Sequence, residues 1–131
     1  MEMTVDFAGG LKVDAHFNGH TVSTDQPVSA GGEGSSPTPF ELFLASIGTC
    51  AGIFVLGFCK SRGIPTEGIK IVQSSGNNPA TGKLLNIDID IRLPPSFPEK
   101  YLNAVVAVAE QCKVKKTIAD HPPMTVRATV S

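Results

Sequence analysis

The chain has 131 residues, of which 41% are hydrophobic and 18% charged, with a formal net charge of −1. This suits a single globular domain spanning residues 1–131 with a moderate core. It excludes the strong field that would collect nucleic acid or anionic lipid. The start, "MEMTVDFAGG", has no basic segment before an apolar run. That predicts no secretory signal and a cytoplasmic location.

"MTVDFA" and "LKVDAHF" alternate apolar and polar residues and read as strands, with Leu11, Val13, Ala15 and Phe17 on one face. Gly9-Gly10 and Asn18-Gly19 are tight-turn pairs, and Asn-Gly is a strong hairpin signal. With "HTVSTDQP" as a third strand, the chain opens on an antiparallel meander. "SAGGEGSSPTP" reads as a flexible connector; it lacks the Gly-Lys-Ser/Thr ending of a phosphate-binding loop.

A helix is predicted from about residue 39 to about residue 62. Thr38 suits the N-cap, Pro39 the first helical position, and Glu41 the third position of a capping box. Lys60 and Arg62 suit the last turn and Gly63 the stop. "GIKIVQSS" is a short strand. "LLNIDIDIRL" is the cleanest one, with Ile87, Ile89, Ile91 and Leu93 facing inward and Asn86, Asp88, Asp90 and Arg92 facing solvent. "PEKYLNAVVAVAEQC" is a second helix with Cys112 near its end. "MTVRATV" alternates again and is expected to close the sheet. The order β-β-β-α-β-β-α-β predicts an α+β fold.

The stretch from Leu42 to Cys59 holds 18 uncharged residues, the lower edge for a membrane span. Ser46, Thr49 and three glycines lower its hydropathy, and nothing else in the chain is long enough to cover the apolar sheet face. It therefore reads as a core helix and not a span. A helix apolar nearly all round needs cover on every side, and one small sheet covers one. This predicts a homodimer.

The three cysteines, Cys50, Cys59 and Cys112, form no Cys-x-x-Cys pair, and His16, His20 and His121 form no ligand pattern. A structural metal site is not expected, nor is a disulfide framework. Nine residues separate Cys50 from Cys59, which puts the two on opposite helix faces. A cysteine in an apolar helix is ordinarily a small buried hydrophobe.

Residues 31–50, "GGEGSSPTPFELFLASIGTC", resemble the helix entry of the OsmC/Ohr family, the osmotically inducible and organic hydroperoxide resistance proteins. The Pro-x-Glu-Leu start and the Ala-Ser-x-Gly-x-Cys turn carry the resemblance, together with a second cysteine, Cys112, 62 residues after Cys50. It implies an OsmC-like α+β fold, with antiparallel sheets around a long buried helix in an intertwined dimer whose active sites lie at the subunit interface. It also implies a thiol peroxidase without metal or bound cofactor. Cys50 would attack the peroxide and become a sulfenic acid. Cys112 would resolve it to a disulfide, which an external dithiol reduces. Ile53 and Phe54, one turn from Cys50, suit a small organic hydroperoxide.

The chain departs from this pattern in two places. The family's peroxidases steady the thiolate with an arginine after the first hairpin turn, where this chain has Leu11 and Lys12. Lys12, with His16 and His20, is all the opening meander offers, so Cys50 is expected to keep a pKa at or above about 8.5. The family's glutamate falls ten residues before the cysteine, where this chain has Phe40; Glu41 lies nine before. On a helix that is about 13.5 Å along the axis and on the opposite face. Two readings stand: a Cys50/Cys112 peroxidase with Glu41 as a further site candidate, or a non-catalytic protein of the same fold that binds a small apolar or thiol-bearing ligand.

Overall fold

The computed structural model describes residues 1–130. The chain divides into two compact units, Met1–Ala45 and Ser46–Ser131, with one continuous helix running through the boundary.

The first unit is the expected meander: β1 (Thr4–Gly9), β2 (Lys12–Phe17) and β3 (His20–Thr24), antiparallel in that order. Asn18 and Gly19 both have positive φ, 50° and 76°, the backbone that a tight two-residue hairpin demands. The polar face carries a convergence that sequence spacing hides. Asp6 pairs across the strands with Asp14, and His16 Nε2 lies 3.0 Å from Asp6 Oδ1 while its Nδ1 lies 3.0 Å from Thr21 Oγ1. The ligand-type atoms of Asp6, Asp14 and His16 fall within 4.8 Å of one another. On the apolar face, Val5 and Phe7 are exposed, Phe7 to 84%.

The Gly/Ser/Pro segment after β3 is not a loose connector. Asp25, only 1% exposed, organises it. Its Oδ1 accepts from Gln26 N at 2.7 Å; its Oδ2 accepts from Glu33 N at 3.3 Å, Ser35 N at 3.1 Å and Ser35 Oγ at 2.7 Å. Gly32 is required here, because a Cβ would sit 2.1 Å from Gln26 O. Lys12 adds an ion pair with Glu33. The hydrogen bonds from Ser35, Gln26 and Glu33 outweigh burial and lower the Asp25 carboxyl from 3.8 to about 2. A lowered folded-state pKa means that the stabilisation is fully present above the ordinary value and lost as pH falls through about 2. Acid unfolding of Asp25→Asn against the parent checks this. The parent's advantage should shrink as pH drops from 3.8 towards 2, and a gap that widens over that range would refute it.

The helix α1 spans Pro39–Ser61, one residue short of the predicted end. The capping box forms as read: Thr38 N donates to Glu41 Oε1 at 2.9 Å and Glu41 N donates to Thr38 Oγ1 at 3.2 Å. At the other end Gly63, with φ 65°, turns the chain and Ile64 N closes back on Cys59 O at 2.9 Å.

In the second unit, β4 (Lys70–Asn77) and β5 (Leu84–Arg92) form an antiparallel hairpin. Ile87, Ile89 and Ile91 are half-buried and the acidic residues between them exposed, as the alternation required. Ile47, Ala51, Val55, Phe58 and Cys59 make the buried stripe of α1, at helical spacings of three and four. Most of that stripe packs with Phe97, Val105 and Ala109, and Ile71, Ile89 and Ile91 close the core. The expectation of a helix buried all round is not met within one chain: Ile53, Phe54 and Leu56 remain exposed. By length and composition α1 could cross a membrane, and 28% of its most apolar window is buried.

Two sequence expectations fail at the C-terminal end. The second helix does not run through to Cys112. After a 3₁₀ turn (Glu99–Tyr101), α2 covers only Leu102–Ala109, and a separate α3 covers Lys113–Ala119. Gln111 N and Cys112 N bond to carbonyls three residues back, which tightens the chain out of the helix. Cys112 itself is extended, with φ −46° and ψ 122°. "MTVRATV" forms no strand among the described residues, and Met124 and Val126 are exposed. Alternation specifies a strand only where an edge is available to pair with it.

Candidate active site

Two of the three proposed site residues meet. Cys50 projects half-buried from α1, and Cys112 stands at the N-cap of α3, 1% exposed. The two thiols lie near enough to shift one another's ionisation, and all three cysteines are free. The Cys112 thiol donates to Ile47 O at 3.9 Å, one turn before Cys50 on α1, and Cys112 Sγ accepts from Lys115 N at 3.4 Å. The break between α2 and α3 thus gives Cys112 its position: a continuous helix would leave no free N–H groups beside the sulfurs.

The environment polarises the pair. The Val114 N–H, the Cys112 thiol and the Lys113 N–H, in that order of weight with burial opposing, pull Cys50 below the ordinary thiol value. Burial and then the neighbouring Cys50 sulfur push Cys112 up. The shift is downward, where burial without a cation was expected to hold the thiol high. That expectation counted side-chain cations, and the donors are backbone amides, which no residue type announces. Cys59 is fully buried on the other face, and burial raises its thiol. Stepwise alkylation over a pH series should therefore modify Cys50 first and at the lowest pH, with Cys112 and Cys59 later. Equal rates at Cys50 and Cys59 would contradict the geometry.

Glu41 does not join this pair. Its carboxylate is engaged with Thr38 N in the capping box, nine residues before Cys50 on the same helix. A cavity of about 510 Å³ opens beside Cys112, lined among others by Ile47, Ile89, Val106, Lys115 and Ile118. The sequence reading missed this cavity because Ile118 and Lys115 reach it only once α3 is a separate helix.

A model of the OsmC-like protein family matches residues 32–127. No curated protein matches the chain, but solved structures do. A Psychrobacter arcticus 273-4 protein ascribed to osmotic stress and detoxification responses superposes with a TM-score of 0.73 at 20% identity, over 88% of this chain and 85% of that one. An OsmC-like protein from Mycoplasma pneumoniae gives 0.68 at 12% identity, over 92% and 87%. The organic hydroperoxide resistance protein OsmC of Legionella pneumophila gives 0.56 at 19% identity, over 90% and 89%. At such identities the likeness is one of fold. The family match covers most of the chain, including both cysteines and the helix that carries Cys50, and the chain belongs to the OsmC-like family.

Proposed function

We propose that this protein is a two-cysteine peroxidase that reduces small organic hydroperoxides. The observation that carries the reading is the placement of two free thiols: Cys112 at the N-cap of α3 reaches Ile47 O, one turn before the half-buried Cys50 on α1, and the two thiols are shifted in opposite directions. The Cys50 thiolate attacks one peroxide oxygen; the O–O bond breaks and the leaving alkoxide takes a proton to become an alcohol. The Cys50 sulfenic acid then condenses with the Cys112 thiol, releasing water and forming a disulfide. An external dithiol attacks that disulfide and returns both thiols. The hydroperoxide resistance named for the Legionella relative supports the substrate class. Backbone amides stand in for the family's arginine, and Glu41 keeps a capping role.

The protein acts in the cytoplasm as a homodimer, with a second copy and not lipid covering Phe54 and Ile53. The exposed apolar residues of β1 and α1 support this. Sedimentation should give twice the mass of one chain, and a folded monomer at micromolar concentration would refute it. The cavity beside Cys112 favours a second reading, an apolar-ligand binder without turnover. Steady-state reduction of a bulky alkyl hydroperoxide in the presence of a dithiol separates the two: catalytic consumption supports the peroxidase, and consumption that stops below one equivalent supports the binder.

A further inference from the structure

We propose that the Cys50/Cys112 pair is a redox switch on α3: reduced, Cys112 caps and holds the helix; oxidised, its first turn loosens and uncovers the Cys112 sulfur to the reductant. The switch rests on the pairing given under the proposed function. Left to itself, α3 is a poor helix. It has seven residues and none is buried, and so short a helix is marginal without outside support. Val114, Thr117 and Ile118 are β-branched, which lowers helix propensity. Lys113 and Lys115 place positive charge at the positive end of the helix dipole, and Lys113 repels Lys116 three residues on.

The support comes from Cys112. Its sulfur accepts from Lys115 N at 3.4 Å, its carbonyl from Lys116 N at 3.0 Å, and its thiol hydrogen anchors the cap to Ile47 O on α1. Disulfide formation changes two of these features together. Each thiol loses its hydrogen, so the tie to Ile47 O disappears. The bonded sulfur is a weaker acceptor than a thiol or thiolate. The near-perpendicular dihedral of a disulfide also restricts where the Cys112 sulfur can sit. The consequence bears on which sulfur the reductant attacks: Cys50 is half-buried, whereas Cys112 is 1% exposed in the reduced protein and needs uncovering. Lys115 and Ile118 of α3 line the cavity beside it, so loosening α3 opens that side.

The test uses a diazene dicarboxamide oxidant, which takes one hydrogen from each of two thiols to become a hydrazine and needs no peroxidase activity. Amide hydrogen exchange is followed by mass spectrometry on the full chain, reduced and oxidised. Exchange over residues 113–119 is expected to quicken about three- to ten-fold on oxidation, the range of losing a helix cap, with β4 and β5 unchanged. Cys112→Ala should show the faster exchange already when reduced. Cys50→Ser should show no response to oxidant. A linked Cys50–Cys112 pair with unchanged exchange over 113–119 overturns the switch alone. Failure of the pair to link overturns the switch and the proposed pairing together.

Discussion

Replacing Cys50 with serine is expected to lower hydroperoxide turnover by about 10³-fold or more, the scale on which an essential nucleophile is lost. A serine hydroxyl stays protonated at neutral pH, and the Lys113 and Val114 amides that favour a thiolate gain no anion to stabilise. Cys112→Ser should behave differently. The first equivalent of hydroperoxide is still consumed, because Cys50 attacks without Cys112. Cys50 then rests as a sulfenic acid, which a dimedone-type reagent traps. Cys59→Ser should leave the first-turnover rate unchanged, since that thiol points into the core on the opposite face. Loss of the first turnover in Cys112→Ser, with Cys50 free, would reverse the assignment of attacking and resolving thiols.

The second large effect concerns stability. Phe58→Ala should cost about 3–5 kcal/mol and lower the melting temperature by roughly 10–20 °C for a chain of this size. Phe58 is 5% exposed in the core between α1, the β4–β5 hairpin and α2. It packs edge-on against Tyr101, with centroids 5.5 Å apart at 85°, and the Arg62 guanidinium lies 3.8 Å from its ring centre. Truncation therefore leaves a cavity and removes an aromatic pair and a cation–π contact. That loss is a large fraction of the roughly 5–15 kcal/mol that holds a domain together. Phe54→Ala provides the contrast. Phe54 is 38% exposed in the single chain, so the chain's own fold should lose little, while a dimer that buries it should become concentration-dependent in its melting. A melting loss for Phe58→Ala no larger than that of an exposed-site alanine would contradict the core assignment.

What the sequence made legible follows from the range of each interaction. The start of α1 was readable because Thr38, Pro39 and Glu41 act within one turn, and its end because Gly63 supplies the positive φ the stop needs. The β5 strand was readable because its alternation is uninterrupted from Asn86 to Arg92. Asp25 was passed over because its partners lie up to ten residues away and are mostly backbone. The split between α2 and α3 was missed because the apolar spacing of α2 continues through to Cys112 while the hydrogen bonds do not. The alternation of "MTVRATV" does not make a strand, because period-two patterning says nothing about whether an edge is free to pair. Both cysteines of the site were named from the sequence through a family resemblance. The amides that polarise them came only with the fold.

The paired-thiol chemistry is tested most directly by the fate of the three thiols after a single equivalent of a bulky organic hydroperoxide. The reduced protein is treated, quenched with an alkylating reagent and peptide-mapped without reduction. Two thiols per chain should be lost, with Cys50 and Cys112 joined in one linked peptide and Cys59 recovered alkylated. A Cys50–Cys59 link, or all three cysteines recovered alkylated with the hydroperoxide unconsumed, would contradict that chemistry.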